Sequence, residues 1–195
     1  MTSQLTISPV DGRVYVERTL ATPVQIEAAL ESARLAQRVW RDVTMAERAA
    51  ILSRFCDAFE SHGDAIAEEL SWQMGRPLRY APSEGRGTLE RARHMIALAP
   101  AGLADIDVGP KAGFHRFLRR EPLGVVFTVA AWNYPYLIAV NSVVPALMAG
   151  NVVLLKHSAQ TPLCAERFEE CLREAGLPEG AFQTLHLSHA DTERV

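Results

Sequence analysis

The chain has 195 residues, 48% of them hydrophobic and 22% charged, and 20 Lys and Arg against 23 Asp and Glu leave a net charge of −3. This profile is that of a globular chain with ample material for a core. It excludes a disordered, collagenous or coiled-coil protein and lacks the basic surplus of a nucleic-acid binder.

The first residues, Met1 to Pro9, carry no basic start followed by an apolar run, so no secretory signal is expected. Leu5, Ile7, Val14 and Val16 flank the turn Pro9-Val10-Asp11-Gly12 and predict a hairpin over residues 5–20. Thr22-Pro23-Val24-Gln25 is a capping box with proline at the first helical position, followed by the stripe Ile26, Ala29, Leu30, Ala33 and Trp40. A second capping box, Thr44-Met45-Ala46-Glu47, opens a helix with Leu52, Phe55, Cys56 and Phe59 inward that ends at Gly63. Asp64 is expected to cap a third helix that stops at Gly75-Arg76-Pro77. A fourth is expected from about Pro82 to Ala99 with Leu89, Ala92 and Ile96 inward.

The character changes after Pro100. Gly109 to Gly113 reads as a loop, and the mixed alternation from Phe114 to Arg120 suits an exposed or partner-pairing strand. From Pro122 to Leu155 there are 34 residues without a charge. Asn133, Pro135, Asn141, Ser142, Pro145, Gly150 and Asn151 interrupt that run, so it reads as a buried α/β core and not as a membrane span. Its parts are a strand from Gly124 to Ala130, a helix from Tyr136 to Ala149 and a strand from Val152 to Leu155. A helix from Thr161-Pro162 to Gly176, with Leu163, Phe168, Cys171 and Leu172 inward, and a third strand from Phe182 to Leu187 follow. The fold class is therefore α/β: N-terminal helices, then the first β-α-β-α-β half of a doubly wound, Rossmann-like parallel sheet. The expected units are a hairpin and helices at 1–108, a strand segment for assembly at 109–121, and a partial dinucleotide-binding unit at 122–195.

Gly85-Arg86-Gly87 lacks a third glycine and sits in helical pattern, so it is no dinucleotide fingerprint. Cys56, Cys164 and Cys171 fall on apolar stripes, are in no paired spacing, and read as small buried hydrophobes of a reducing, cytoplasmic compartment. His186-x-x-His189 is too sparse for a metal site, and no metal is expected. Two loops stand out because each follows a strand end and precedes a helix, the place where open α/β sheets bind ligands. In the first, Ala130 to Pro135, Asn133 is either an amide donor in the crevice or a helix N-cap. In the second, Lys156 to Pro162, Lys156 meets ribose or phosphate or is a solvated surface lysine.

Glu121-Pro122-Leu123-Gly124-Val125, Trp132-Asn133-Tyr134-Pro135, Pro145-Ala146-Leu147, Ala149-Gly150-Asn151-Val152-Val153, Lys156 with Gln160-Thr161-Pro162, and Glu174-Ala175-Gly176-Leu177-Pro178 occur in fixed order. Together they resemble the N-terminal portion of the aldehyde dehydrogenase superfamily, most densely from Glu121 to Gly180. The resemblance implies NAD(P)-dependent oxidation of a small aldehyde to an acid, through a cysteine thiolate, a hydride transfer and a glutamate-assisted hydrolysis. It implies Asn133 as the oxyanion donor, Val129, Ala130, Ala131 and Trp132 as the strand end at the cofactor, and Lys156 at the adenosine ribose beside Ser158 and Ala159. Ala131 replaces a proline common before Trp-Asn. Ala159 stands where many NAD-preferring members carry a glutamate, so NADP is favoured over NAD. Asn141 and Ser142 fall on the helix that lines the substrate tunnel and suggest a more polar aldehyde. Leu154-Leu155-Lys156-His157 is similar to some succinate-semialdehyde dehydrogenases. A homo-oligomer is implied, with Phe114 to Arg120 as its interface strand. In the family the nucleophilic cysteine and the glutamate base lie beyond the point matching Val195, so the chain is expected to be truncated and inactive alone. The alternatives are a non-catalytic nucleotide-binding or assembly module and a fragment without independent function.

Overall fold

The computed structural model describes residues 2–195. An antiparallel hairpin, β1 (Ser3–Ile7) and β2 (Val14–Thr19), turns at Gly12 with φ 75°. Its inward side is Thr6, Ser8 and Val16, while Leu5, Ile7 and Val14 are exposed. Four helices follow: α1 (Pro23–Trp40), α2 (Met45–Ser61), α3 (Gly63–Met74) and α4 (Ala81–Gly102). Both capping boxes form, Thr22 with Gln25 and Thr44 with Glu47.

Two expectations in this region are corrected. Asp64 does not cap α3 but lies inside its first turn, because α2 and α3 share His62 as their only boundary residue. The helix α4 does not stop before Pro100 but runs through it. One missing N–H near a helix end removes a single bond, and Ile96, Ala99 and Leu103 on either side still pack against the core.

The segment after α4 contains β3 (Ile106–Asp107) paired antiparallel with β4 (Phe117–Leu118). The strand expected from Phe114 to Arg120 thus shrinks to two residues. Lys111 and Phe114 close a bridge of their own, with Gly113 at φ 78°, and that turn consumes the start of the strand.

The parallel sheet has the order β5 (Val125–Val129), β6 (Val152–Lys156), β7 (Phe182–Thr184), with α5 (Pro135–Met148) and α6 (Pro162–Glu174) as crossovers. A short α7 (His189–Thr192) ends the described elements. All five residues of β6 are buried, so both faces of the sheet are covered. Helix α1 packs across the three strands, α5 packs on β5 and β6, and α6 packs on β7. The strand β7 is shorter than the expected span to Leu187. Leu185 still donates to the Leu155 carbonyl, but the His186 carbonyl accepts from Ala21, so the chain leaves the sheet for the base of the hairpin.

The core is aromatic where α2, α5, α6 and β7 meet. Phe55 stacks on Phe168 at 5.7 Å, and Phe59 meets Tyr136 edge-on at 5.1 Å. The N-terminal helices also close the C-terminal ends of both crossovers. Trp40 Nε1 donates to the Leu147 carbonyl (3.0 Å) and an Arg48 Nη to the Met148 carbonyl (2.9 Å). Arg54 Nε donates to the Ala175 carbonyl (2.9 Å). These donors satisfy carbonyls that the helix itself cannot, and the two arginines complement the negative end of its dipole.

Candidate functional site

The register of the sheet sets Val129 beside Lys156, so the two strand ends singled out in the sequence are neighbours. Ala130 N–H donates to the Lys156 carbonyl at 3.0 Å, which extends the ladder one residue into the first loop. Beyond it Ala131, Trp132, Asn133 and Tyr134 are exposed. In the second loop Lys156 is only 8% exposed, Ser158 is half-buried and Ala159 is exposed. The structure therefore brings Val129 to Asn133 and Lys156 to Ala159 to one end of the sheet.

Three side chains, His157, Thr6 and Gln160, tie these loops together and to the N-terminal region. His157 Nε2 donates to the Pro135 carbonyl (3.2 Å), while its Nδ1 accepts from Ser158 N–H (2.9 Å) and lies 3.0 Å from the Thr161 hydroxyl. Burial pushes the His157 imidazole down to about 4, so it is neutral near pH 7. Thr6 Oγ1 donates to the Ala159 carbonyl at 2.7 Å. Gln160 Nε2 donates to the carbonyls of Ile7 and Gln73. The loop is thus pinned to β1 and to the end of α3. There Gly75, at φ 76°, lies so close to Pro9 that a side chain would clash at 2.9 Å. Trp132, Ile7, Pro9, Met74 and Gln160 line a cavity of about 280 Å³ at this junction.

The helix N-termini decide where an anion can sit. Helix α5 has Tyr134 at its N-cap, without a side-chain cap, so the N-cap role for Asn133 is not realised. The capping group comes instead from α4: Glu84 Oε1 accepts the N–H groups of Tyr136 (2.9 Å) and Leu137 (3.4 Å). A fixed carboxylate at that end fills the place a phosphate would take at a helix N-terminus. Helix α6 also lacks a cap from its own N-cap residue Thr161; Gln73 Oε1 accepts Leu163 N–H at 2.9 Å. Sequence inspection missed both Glu84 and Gln73. A buried polar residue on an otherwise apolar helix face is the signal that marks them, but their partners lie far along the chain.

Lys156 carries the remaining charge of the crevice. Among the described residues its ammonium makes no hydrogen bond or ion pair, and burial lowers its pKa. An ammonium without a protein partner, carried on a largely buried stem beside a strand end, suits an anionic or polyhydroxyl ligand. Ser158 Oγ accepts Gln160 N–H (3.2 Å), which leaves its hydroxyl proton available. On α5, the Ser142 hydroxyl is 2.8 Å from Thr128 Oγ1 on β5. Asn141 is exposed, and its amide donates to the Leu137 carbonyl of its own helix (2.7 Å).

The three cysteines are unpaired and fully buried. Desolvation raises Cys56 to about 11 and Cys171 to about 12, and raises Cys164 as well. None is a nucleophile at neutral pH, because the reactive form is the thiolate. Among the described residues, His62, Glu170 and Glu174 bring potential ligand atoms within 4.8 Å of one another, away from His186, which instead meets Glu166. No helix among the described residues is long and apolar enough to cross a membrane.

A model of the aldehyde dehydrogenase family matches residues 2–195. The NADP+ succinate-semialdehyde dehydrogenase 1 of Mycobacterium tuberculosis is 34% identical over 195 aligned positions, which cover 97% of this chain and 42% of that protein. The solved succinic semialdehyde dehydrogenase from Streptococcus pyogenes, in complex with NADP+, is similar with a TM-score of 0.91 at 26% identity, over 98% of this chain and 42% of that one. A solved NAD-dependent benzaldehyde dehydrogenase from Corynebacterium glutamicum gives a TM-score of 0.89 at 28% identity, over 97% and 41%. The chain thus spans about two fifths of the length of the relatives it matches.

Proposed function

The chain belongs to the aldehyde dehydrogenase family, and on that premise we propose that it supplies the cofactor crevice and the oxyanion donor of a site that oxidises a small aldehyde to an acid. The observation that carries this reading is the pairing of Val129 with Lys156, which sets the loop of Asn133 and the loop that begins at the unpaired Lys156 ammonium side by side. In this reading Val129, Ala130, Ala131 and Trp132 form the wall against a nicotinamide cofactor, and Lys156 and Ser158 offer donors to its adenosine ribose. The cofactor supplies the hydride acceptor. Ala159 leaves room, and no negative charge, for a 2′-phosphate, so NADP is favoured over NAD. Asn133, exposed and not engaged in capping, is available to donate to an oxygen that gains negative charge when the aldehyde carbon is attacked. One such donor is worth about 10²–10³ in rate.

Cys56, Cys164 and Cys171 are unsuited to that attack by burial and raised pKa, so the chain by itself does not oxidise aldehydes. The exposed Phe114, Phe117 and Leu118 around β4 support association with further copies. The buried, unpaired thiols suit a cytoplasmic setting.

Calorimetric titration of the chain with NADP+ tests the reading. Saturable binding that weakens at least about tenfold, or ~1.4 kcal/mol, in Lys156→Met is expected. Absence of binding at millimolar NADP+, or equal affinity in the variant, would remove the assignment.

A further inference from the structure

We propose that Glu84 and Arg76 are positioning residues for Asn133, a role that rests on the assignment of Asn133 as the oxyanion donor. Glu84 lies on α4, its side chain is wholly buried, and its hydrogen bonds go to the first turn of α5, just after the loop of Asn133, and to Arg76. One oxygen accepts the N–H groups of Tyr136 and Leu137. The other is paired with Arg76, whose side chain is 13% exposed. Arg76 in turn donates through Nη2 to the Asn133 carbonyl at 2.9 Å and lies 4.9 Å above the Tyr134 ring. With His157 on the Pro135 carbonyl, the polar backbone groups that flank Asn133 are held from outside the loop.

Among the described residues the exposed Asn133 side chain has no hydrogen-bond partner, so the backbone, which sets the Cα–Cβ direction from which the amide extends, is what the protein holds in place here. A donor of this kind acts only if it already points to where charge develops. The carboxylate and the guanidinium also depend on each other. Either charge alone at this depth would be strongly unfavourable, so the pair is fixed as a unit and carries that fixity to the loop. A lysine at 76 retains the charge but not the fork that spans Glu84 and the Asn133 carbonyl together.

The test uses the 195-residue chain, labelled with ¹⁵N. In Arg76→Met the Asn133 Nδ2H₂ pair and the Asn133 and Tyr134 backbone amides are expected to shift and broaden. Hydrogen exchange at Tyr136 and Leu137 should rise less than at Asn133 and Tyr134, because Glu84, made neutral by a proton once its partner is gone, still offers an oxygen to cap α5. Arg76→Lys should restore part of the Asn133 signal, and Glu84→Gln, which keeps an acceptor for the cap, should disturb Asn133 more than Tyr136. Unchanged Asn133 resonances in Arg76→Met and in Glu84→Gln would overturn the proposal. If Arg76→Met unfolds, Glu84→Gln and Arg76→Lys decide it on the same resonances. NADP+ titration of the unsubstituted chain fails or succeeds independently: no binding removes the underlying functional reading, whereas unchanged Asn133 signals remove the positioning role alone.

Discussion

Gln73 Oε1 accepts the backbone N–H of Leu163 at 2.9 Å across 90 positions of sequence, and so a residue at the end of α3 caps α6. The same amide donates from Nε2 to the Glu69 carbonyl (3.1 Å), and the Gln73 side chain is fully buried. Together with Glu84, which caps α5 from α4, it shows how the N-terminal helices close both crossover helices at the end where the candidate crevice lies.

Gln73→Leu keeps the volume and removes both bonds. Leu163 N–H is then buried without its acceptor, a loss of roughly 1–3 kcal/mol. Urea unfolding should show a lower midpoint with an unchanged slope. A midpoint equal to that of the unsubstituted chain would mean that water or another group replaces the cap.

His157 makes stability depend on pH in a defined direction. Its folded pKa, about 4, lies below the ordinary histidine value of 6.5, so the unfolded chain binds the extra proton in the window between them. Stability is then full above pH 6.5 and falls as pH drops toward 4, by at most about 3 kcal/mol. Unfolding midpoints from pH 7 to 4 should fall more steeply for the natural chain than for His157→Asn. Parallel pH profiles would exclude a neutral buried imidazole.

Thiol accessibility tests the cysteines. In native buffer at pH 8 an aromatic disulfide reagent should titrate none of Cys56, Cys164 and Cys171 rapidly, and all three in denaturant, because burial withholds the thiolate and reaction waits on opening of the fold. One thiol that reacts at the native rate of a surface cysteine would place it outside the core.

Asn133→Ala should change unfolding stability by no more than about 0.5 kcal/mol, since the side chain is exposed and caps nothing. A loss above that value would point to a structural role for the amide.

Ala159→Glu should move affinity from NADP+ toward NAD+. A carboxylate within ~4 Å of a 2′-phosphate costs about 1 kcal/mol in water, or roughly fivefold. Paired titrations with the two dinucleotides give the ratio. An unchanged ratio would mean that this loop does not meet the adenosine ribose.

Local sequence was enough for the element order. Thr22 with Gln25 and Thr44 with Glu47 set helix starts through bonds that span three residues, and Gly75 and Gly176 mark helix ends at positive φ. The run from Val125 to Thr184 declares two parallel crossovers because the first two strands are apolar and each helix begins at a proline. The motifs around Asn133 and Lys156 indicated the family, and the register of β5 on β6 placed them together. What only the tertiary structure decided is which groups hold these loops. The caps on α5 and α6 come from Glu84 and Gln73, the clamp on the Asn133 carbonyl from Arg76, and the carbonyl of Ala159 is held by Thr6. A buried donor must find an acceptor, but nothing in a local window says which acceptor the packing of distant helices will deliver. The same reason shortened the strands at Phe114 and Phe182: their edges end where competing partners, the Lys111 bridge and Ala21, take the backbone groups.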